Sequence, residues 1–320
     1  MSCLLYKLAF DAAVHFGASD SALSLYTSEE YFRADTLFSA LCHTAGENEI
    51  SLLVEAASRG DLRLSDAMPY HGDTLFLPKP YISGSAAKEV AADVRKAVKK
   101  LRWVPMEDFE VFSACVKSGD AYIPSESTSF GVHQEQTRAS LNDGADALPY
   151  QVGTFRFADD CGLWFVCLCP DDDSDRMEDL ISSLGVSGIG GKTSSGLGRF
   201  HIEDVIVLDC PEDAFDAQTE WLYEALHRAD GRSMLLTSSL PTDEELDGVL
   251  PEASFQLVRR SGFIRSDTYA EEPMRKETQF FLAAGSVVTQ RYEGAVYTVA
   301  SAGTHPVYRY SKPIFLGVSL

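Results

Sequence analysis

Apolar and polar positions alternate at the start of the chain with the period of a β-strand. Between residues 4 and 16 every second position is apolar, whereas the positions between them include Lys7, Asp11 and His15. Successive side chains of a strand point to opposite faces, so this pattern predicts one strand with a core face and a more polar face. His15 is then expected on the polar face, close to Gly17.

Later segments show the period of a helix or of further strands. Helical spacing marks residues 33–45, 85–103, 175–188 and 219–231, and strand patterns mark residues 62–68, 74–80, 154–169, 199–208, 254–266 and 278–290. Asp35 is placed as the N-cap of the first helix, because its carboxylate can accept backbone N–H groups. Gly185 is placed to end the third helix in the left-handed conformation.

Residues 118–149 form a polar stretch with few apolar positions. Most connections between elements have about 5 residues, so this stretch is too long for an ordinary loop. We expect a hairpin that projects from its domain. The following segment, residues 154–169, is expected to form a hairpin of its own with a turn at residues 159–162.

The segment GIGGKTSSGLGRF, residues 188–200, contains the Gly-Lys-Thr of a nucleotide-binding P-loop. A P-loop lies between a strand and a helix, and it needs a glycine five residues before its Gly-Lys pair. Here the predicted order is helix, loop, strand, and the residue five before Gly191 is Val186. Both observations argue against an ATP-binding loop.

This glycine-rich loop has the chemistry of a site for a nucleic-acid backbone. Its glycines allow positive φ and remove side-chain bulk, and its polar side chains can donate to phosphate oxygens. The loop contributes Gly188, Gly190, Gly191, Lys192, Thr193, Ser194, Ser195, Gly196, Gly198 and Arg199. The alternative is a flexible connector without a ligand.

Composition and net charge limit the possible partners and the cellular compartment of the protein. The formal net charge of −21 argues against general, sequence-independent attraction to nucleic acid, although it leaves room for a local basic groove. The apolar runs are too short to span a membrane, and the N-terminus does not have the pattern of a signal peptide. Seven cysteines without a framework spacing are typical of a reducing cytoplasm.

Two smaller groups of residues were considered as sites. Arg259, Arg260 and Arg265 lie beside Gly262 and predict a second basic site, with a plain surface cluster as the alternative. Three cysteines, Cys161, Cys167 and Cys169, share one strand face. They are interpreted as buried thiols, because no histidine pair accompanies them to complete a metal site.

Several motifs together resemble a known family. The glycine-rich loop resembles that of the RAMP superfamily, the repeat-associated proteins of CRISPR systems. The segments HFG (residues 15–17), RADTLFSAL (33–41), LPKP (77–80) and HPVYRYSKP (305–313) resemble the fourth Csm subunit of type III-A effector complexes, in the Cas-five-like group. The resemblance covers nearly the whole chain, and the DTLFSAL and HPVYRY segments favour this subunit over its type III-B counterpart.

The resemblance implies an α+β fold of two ferredoxin-like (RRM-like) domains. The first is expected over residues 1–210, with an inserted thumb hairpin at about 118–149 and the glycine-rich loop at 188–199, and the second over residues 211–320. It further implies a subunit that is not a nuclease, holds the 5′ handle of the crRNA, caps the backbone filament of RAMP subunits and docks the large Cas-ten subunit. No cofactor or metal is expected.

The residues expected at the RNA extend beyond the loop. They include His15, Gly17, Arg33 and Asp35 in the N-terminal motifs, His133 and Arg138 in the expected thumb, and Arg259 and Arg260 in the second basic site.

Two other functions compete with this interpretation. A RAMP-type endoribonuclease that processes crRNA could use His15 as a general acid or base, but the sequence offers no evident catalytic partner. An RRM-type mRNA binder should carry aromatic residues in an RNP pattern on central strands, and no such pattern is found.

Overall fold

The structure is a computed structural model that describes residues 1–17, 22–82, 92–124, 128–140, 148–266 and 268–319. It combines helices and antiparallel sheets, which confirms the predicted α+β class. The helices are α1 Ala34–Thr44, α2 Glu47–Arg59, α3 Ala92–Lys100, α4 Phe109–Ser118, α5 Ser174–Ser187, α6 Ala217–His227 and α7 Asp243–Val249.

Strands are interspersed with these helices as far as α7, and the last six described strands follow one another. They are β1 Ser2–Phe10, β2 Phe16–Gly17, β3 Ser28–Glu29, β4 Arg63–Leu64, β5 Met68–His71, β6 Thr74–Pro78, β7 Trp103–Pro105, β8 Gly131–Ser140, β9 Leu148–Phe157, β10 Cys161–Cys169, β11 Phe200–Val207, β12 Arg232–Leu235, β13 Leu257–Arg260, β14 Gln279–Leu282, β15 Val287–Val288, β16 Ala295–Ala300, β17 Val307–Ser311 and β18 Phe315–Val318.

The main sheet has the order β11-β1-β10-β5-β6-β7, and β4 also pairs with β10. β1 lies between β11, the edge strand, and β10, and it is antiparallel to both. Trp164 in β10 is fully buried, and its indole N–H donates to the Phe76 carbonyl oxygen at 3.1 Å. α5 packs on β11, so the segment between them lies at the edge of this sheet.

The C-terminal part consists of smaller sheets. β12 lies between β15 and β18, and two further ribbons are formed by β13 with β14 and by β16 with β17. α6 packs on β18, whereas α1 from the N-terminal part packs on β17. Helix α1 also packs on α5, so it links the N-terminal part to the C-terminal ribbons.

A long two-stranded hairpin, β8 with β9, stands apart from the main sheet. It begins within the polar stretch 118–149, whose residues 125–127 and 141–147 lie outside the described residues. The prediction that residues 154–169 form a hairpin of their own was wrong. β9 pairs with β8, whereas β10 enters the main sheet beside β1 and β5.

Three local predictions also need correction. β1 ends at Phe10 rather than near Phe16, so His15 does not lie on the polar face of that strand. Gly185 does not end α5. It lies inside the helix, which continues to Ser187. Glycine is needed there because a Cβ would overlap the Phe200 carbonyl oxygen. The helix predicted over 85–103 is described only as α3, and its residues 85–91 lie outside the described residues.

Asp35 is not the N-cap of α1. The N-cap is Arg33, and the helix start is stabilised instead by a carboxylate from a distant segment. Asp66 accepts the Ala34 backbone N–H at 3.0 Å, and it also accepts the backbone N–H and the hydroxyl of Ser238, at 3.0 and 2.6 Å. One buried carboxylate thus connects α1 to the segment that follows β12.

Candidate nucleic-acid interface

The glycine-rich loop joins α5 to β11, which confirms the predicted order of helix, loop and strand. Several of its residues have positive φ: Gly188, Gly190, Lys192, Gly196 and Gly198. Glycine adopts this region without strain, whereas Lys192, with a φ of 61°, is the non-glycine residue of the loop found there. A short 3-10 turn over Thr193–Ser195 follows Lys192.

The loop packs closely on the segment between β1 and β2. Gly191 N–H donates to the His15 carbonyl oxygen at 2.8 Å, and Gly198 N–H donates to the Ala13 carbonyl oxygen at 2.9 Å. A Cβ at Gly190 would lie 2.7 Å from the same His15 oxygen, and one at Gly191 would lie 2.5 Å from the His15 ring carbon Cδ2. The absence of side chains at these glycines therefore serves packing within the protein.

His15 lies beneath the loop and is only 7% exposed, which corrects its predicted place on a polar face. Its Nδ1 lies 2.6 Å from the Gly153 carbonyl oxygen of the hairpin. A carbonyl oxygen only accepts, so Nδ1 carries the proton and Nε2 is left with its lone pair in the neutral ring. Burial lowers the pKa of His15 against the raising effect of the Gly153 hydrogen bond, and nearby Lys192 lowers it further.

Lys192 contacts the hairpin through Tyr150. Its ammonium lies 4.9 Å from the centre of the Tyr150 ring and 3.4 Å from the Tyr150 hydroxyl oxygen. These contacts direct a half-buried lysine across the space between loop and hairpin. Ser194, Ser195 and Arg199 lie exposed on the same loop.

A residue from the C-terminal part holds the loop on its other side. The Arg265 guanidinium donates to the Gly190 carbonyl oxygen at 2.6 Å and to the Thr193 hydroxyl oxygen at 2.8 Å. Sequence reasoning had grouped Arg265 with Arg259 and Arg260. It missed this contact, because no local pattern links positions 75 residues apart.

The predicted second basic site is divided by the fold. Arg260 forms a bidentate ion pair with Asp35 of α1, with N–O distances of 2.7 and 2.8 Å. Arg259 is exposed on β13, and Arg265 contacts the glycine-rich loop. Because the charges of Asp35 and Arg260 neutralise each other in the protein, we propose neither residue as an RNA ligand.

Two further predicted residues, Arg33 and Gly17, belong to the N-terminal motifs. Arg33 donates to the Tyr31 hydroxyl oxygen at 2.5 Å and is partly buried. Gly17 is exposed in β2, where a Cβ would meet nothing closer than 3.8 Å, so no packing contact requires glycine there.

His133 and Arg138 lie on the same strand, β8, of the hairpin. They are five positions apart in an unbroken register, so their side chains point to opposite faces. The structure therefore does not bring these two residues together. His133 lies against the Phe155 ring, and Arg138 donates to the Gln136 side-chain oxygen at 3.0 Å.

The described residues also bear on the possible metal sites, the cysteines and the membrane. Within the described ranges, no group of three or more His, Cys, Asp or Glu side chains could hold a metal ion. All seven cysteines are free thiols, and Cys161, Cys167 and Cys169 are buried as predicted. No helix in the described part of the chain has the length and apolar character needed to cross a bilayer.

The sequence resembles RAMP proteins of CRISPR systems through a glycine-rich loop between a helix and a strand, and the structure places this loop before the edge strand of the main sheet. Comparison with known proteins identifies the family. The family described as the CRISPR Csm4 C-terminal domain matches residues 228–318. The Csm4 protein of Mycobacterium tuberculosis is 34% identical over 325 residues, which cover 99% of this chain and 98% of that protein. The chain belongs to the Csm4 family.

Further relatives extend this result. The Csm4 protein of Streptococcus thermophilus is 30% identical over 324 residues, covering 98% of each chain. A chain in the crystal structure of a Csm1–Csm4 cassette with pppApA matches with a TM-score of 0.61 and 21% identity, covering 100% of this chain and 99% of that one. A chain of the Csm3–Csm4 subcomplex of the type III-A interference complex matches with a TM-score of 0.60 and 17% identity, covering 100% of both. At these identities the structural matches support the fold.

Proposed function

We propose that this protein is the non-catalytic subunit of a type III-A CRISPR effector complex that holds the 5′ handle of the crRNA. The observation that carries the proposal is the glycine-rich loop, held from below by His15 and from the side by Arg265, with Lys192 between loop and hairpin. A loop fixed at several points presents its donors without an ordering cost on binding. Phosphate contacts of this kind position a nucleic acid without reading its sequence.

The proposed assembly follows from the relatives. Structures containing Csm4 with Csm1 and with Csm3 support docking of this chain to the large Cas-ten subunit and to a backbone RAMP subunit, where it caps the filament. Exposed apolar side chains suit such docking. Leu257 and Phe280, each 53% exposed, lie on one face of the β13–β14 ribbon. The curated relatives are Csm4 proteins, so the type III-B alternative is not retained.

The finer description of the fold belongs to the same proposal. We assign two ferredoxin-like domains, with a boundary near residue 210, and we assign the β8–β9 hairpin as the thumb. The free thiols are consistent with action in the cytoplasm.

The loop is tested by removing its lysine. Lys192→Ala should weaken crRNA binding and lower the slope of log K against log salt by about one, because one phosphate contact is lost. Lys192→Gly should give the same slope without strain, since glycine tolerates the left-handed backbone. Binding measured by filter retention over a range of salt concentrations checks both.

Lys96→Ala is the matched control, because it removes an equal charge from an exposed position on α3. Its slope should equal that of the unmodified protein. If both Lys192 variants also kept the full slope, the loop would be a connector rather than a phosphate site.

The geometry of His15 bears on the endoribonuclease alternative. The ring is buried under the loop, and one of its nitrogens is committed to the Gly153 carbonyl oxygen. That contact gives His15 a positioning role in holding the loop to the hairpin. We therefore expect the purified protein to leave repeat RNA intact, with or without Mg²⁺, and His15→Ala to alter handle binding only modestly.

Incubation of labelled repeat RNA with the purified chain checks this expectation. A catalytic histidine is typically worth about 10²–10⁴-fold in rate, so its loss would be conspicuous. If the chain alone cleaved repeat RNA at a specific site and His15→Ala abolished this cleavage, the protein would be a processing endonuclease.

A further inference from the structure

A cavity of about 460 Å³ lies beside the glycine-rich loop. It is formed by the C-terminal end of α1, the start of α2, the segment after β13 and the turn between β16 and β17. Its polar and charged lining consists of Ser39, Cys42, His43, Ser51, Arg265, Ser266, Thr268, Lys276 and His305. Neither the sequence motifs nor the proposed loop site had assigned a role to it.

Groups that are or can become positive converge on this cavity. Lys276, Arg265, His43 and His305 all line it, and among the described lining residues there is no carboxylate. Burial lowers the pKa of His43, and Arg265, Lys276 and His305 lower it further. Burial also lowers the pKa of Lys276, while Asp35 partly offsets this effect. Like charges this close favour an anion between them.

Neutral donors complete the lining. His305 Nδ1 lies 3.0 Å from the Pro306 carbonyl oxygen, so this nitrogen carries a proton. His305 Nε2 lies 2.8 Å from the Ser266 hydroxyl oxygen. In the neutral ring that hydroxyl must donate to Nε2, whereas in the charged ring Nε2 also donates and the hydroxyl is free to turn towards an anion. The cavity therefore offers the Lys276 ammonium, the Arg265 guanidinium and the His43 imidazole, and the Ser266 hydroxyl joins them when the His305 ring is charged.

The cavity and the loop share one residue. Arg265 lines the cavity and also donates to Gly190 and Thr193 of the loop. A strand whose phosphates run along the loop would therefore pass the mouth of the cavity. This continuity favours a nucleic-acid phosphate over an acidic side chain of a partner protein as the occupant.

We propose that this cavity binds one phosphate of the RNA next to those held by the glycine-rich loop. The inference rests on the proposed function, because it requires that the loop holds RNA. It adds His43 from α1 and Lys276 from the C-terminal part as phosphate ligands, with His305 orienting the Ser266 hydroxyl, so that the RNA is held by both parts of the chain.

Phosphate-ethylation interference on handle RNA tests the proposal. The unmodified protein should show a set of phosphates at which ethylation prevents binding. Lys276→Met should lose interference at one of them, bind about tenfold more weakly and lose about one unit of salt slope. Lys192→Gly should lose a different phosphate. Lys276→Arg should keep the original pattern, and Lys96→Met is the charge-matched control.

The outcomes separate the two proposals. If Lys276→Met kept every interfering phosphate while Lys192→Gly lost one, the cavity proposal would fail and the loop site would stand. If Lys276→Met weakened only association with a protein subunit, the occupant would be a partner's carboxylate, which also overturns the proposal. If the unmodified protein showed no handle binding, the proposed function itself would fail. Thermal unfolding verifies that the variants fold, and His43→Gln, at an exposed position of α1, replaces Lys276→Met if that variant does not.

Discussion

Replacing Arg260 by methionine should lower the free energy of unfolding by about 3–5 kcal/mol, the usual cost of breaking a buried ion pair from one side. The guanidinium makes two short contacts with the Asp35 carboxylate, and the two side chains are only 18% and 7% exposed. In the variant, Asp35 would remain buried in α1 with its main counter-charge removed. Urea unfolding followed by circular dichroism measures the loss.

The pH dependence identifies the cause of that loss. Burial alone would raise the pKa of Asp35, but Arg260, together with the nearby charges of Arg309 and Arg33, holds it below its usual value. A carboxylate with a depressed pKa stabilises the fold above its unfolded pKa of about 3.9, and this contribution is lost as the pH falls through the folded pKa. The difference between the unmodified protein and Arg260→Met should therefore be full at neutral pH and shrink below about pH 4.

Two further variants complete the experiment. Asp35→Asn combined with Arg260→Met removes both charges, so it should recover much of the stability that Arg260→Met loses. Arg259→Met removes an exposed arginine from the same strand and should change stability by less than about 1 kcal/mol. If Arg259→Met and Arg260→Met lowered the free energy of unfolding equally, the Asp35–Arg260 ion pair would not be the cause of the loss.

Local patterns were sufficient for the parts of the fold that depend on neighbouring residues. The spacing of Met177, Ile181 and Leu184 placed α5 correctly, and their side chains are buried. The β-branched residues after Arg199 predicted β11. In each case the signal lies within one element, so periodicity is enough.

The sequence was misleading where a residue's partner lies far along the chain. Asp35 has the residue type and position of an N-cap, yet Asp66 fulfils that role and Asp35 pairs with Arg260, 225 residues away. Alternation around His15 suggested a polar face, because nothing local shows that the glycine-rich loop covers it. Lys276 lies in a polar segment without any motif, so only the fold identifies it as part of a cavity.

A large loss of crRNA binding is also expected from a substitution at Gly191, where the glycine-rich loop contacts the His15 ring. Gly191→Ala adds one methyl group, whose carbon would lie 2.5 Å from His15 Cδ2 in the present geometry. The ring has little freedom to yield, because it is buried and its Nδ1 donates to Gly153. We therefore expect the loop to move. Overpacking of this kind costs about 1–3 kcal/mol, which is roughly 5- to 150-fold in the Kd for crRNA if it is expressed entirely in binding.

A double variant shows whether the clash with the His15 ring causes the weaker crRNA binding of Gly191→Ala. His15→Ala removes the ring that the new methyl group meets, so Gly191→Ala combined with His15→Ala should bind crRNA about as well as His15→Ala alone. Such non-additivity is the signature of residues in direct contact. Gly46→Ala is the control, because a methyl group there has its nearest neighbour at 3.8 Å and should leave binding unchanged. If Gly191→Ala alone bound crRNA normally, the position of the loop would not matter for RNA. If the double variant bound no better than Gly191→Ala, the defect would arise from something other than the His15 contact.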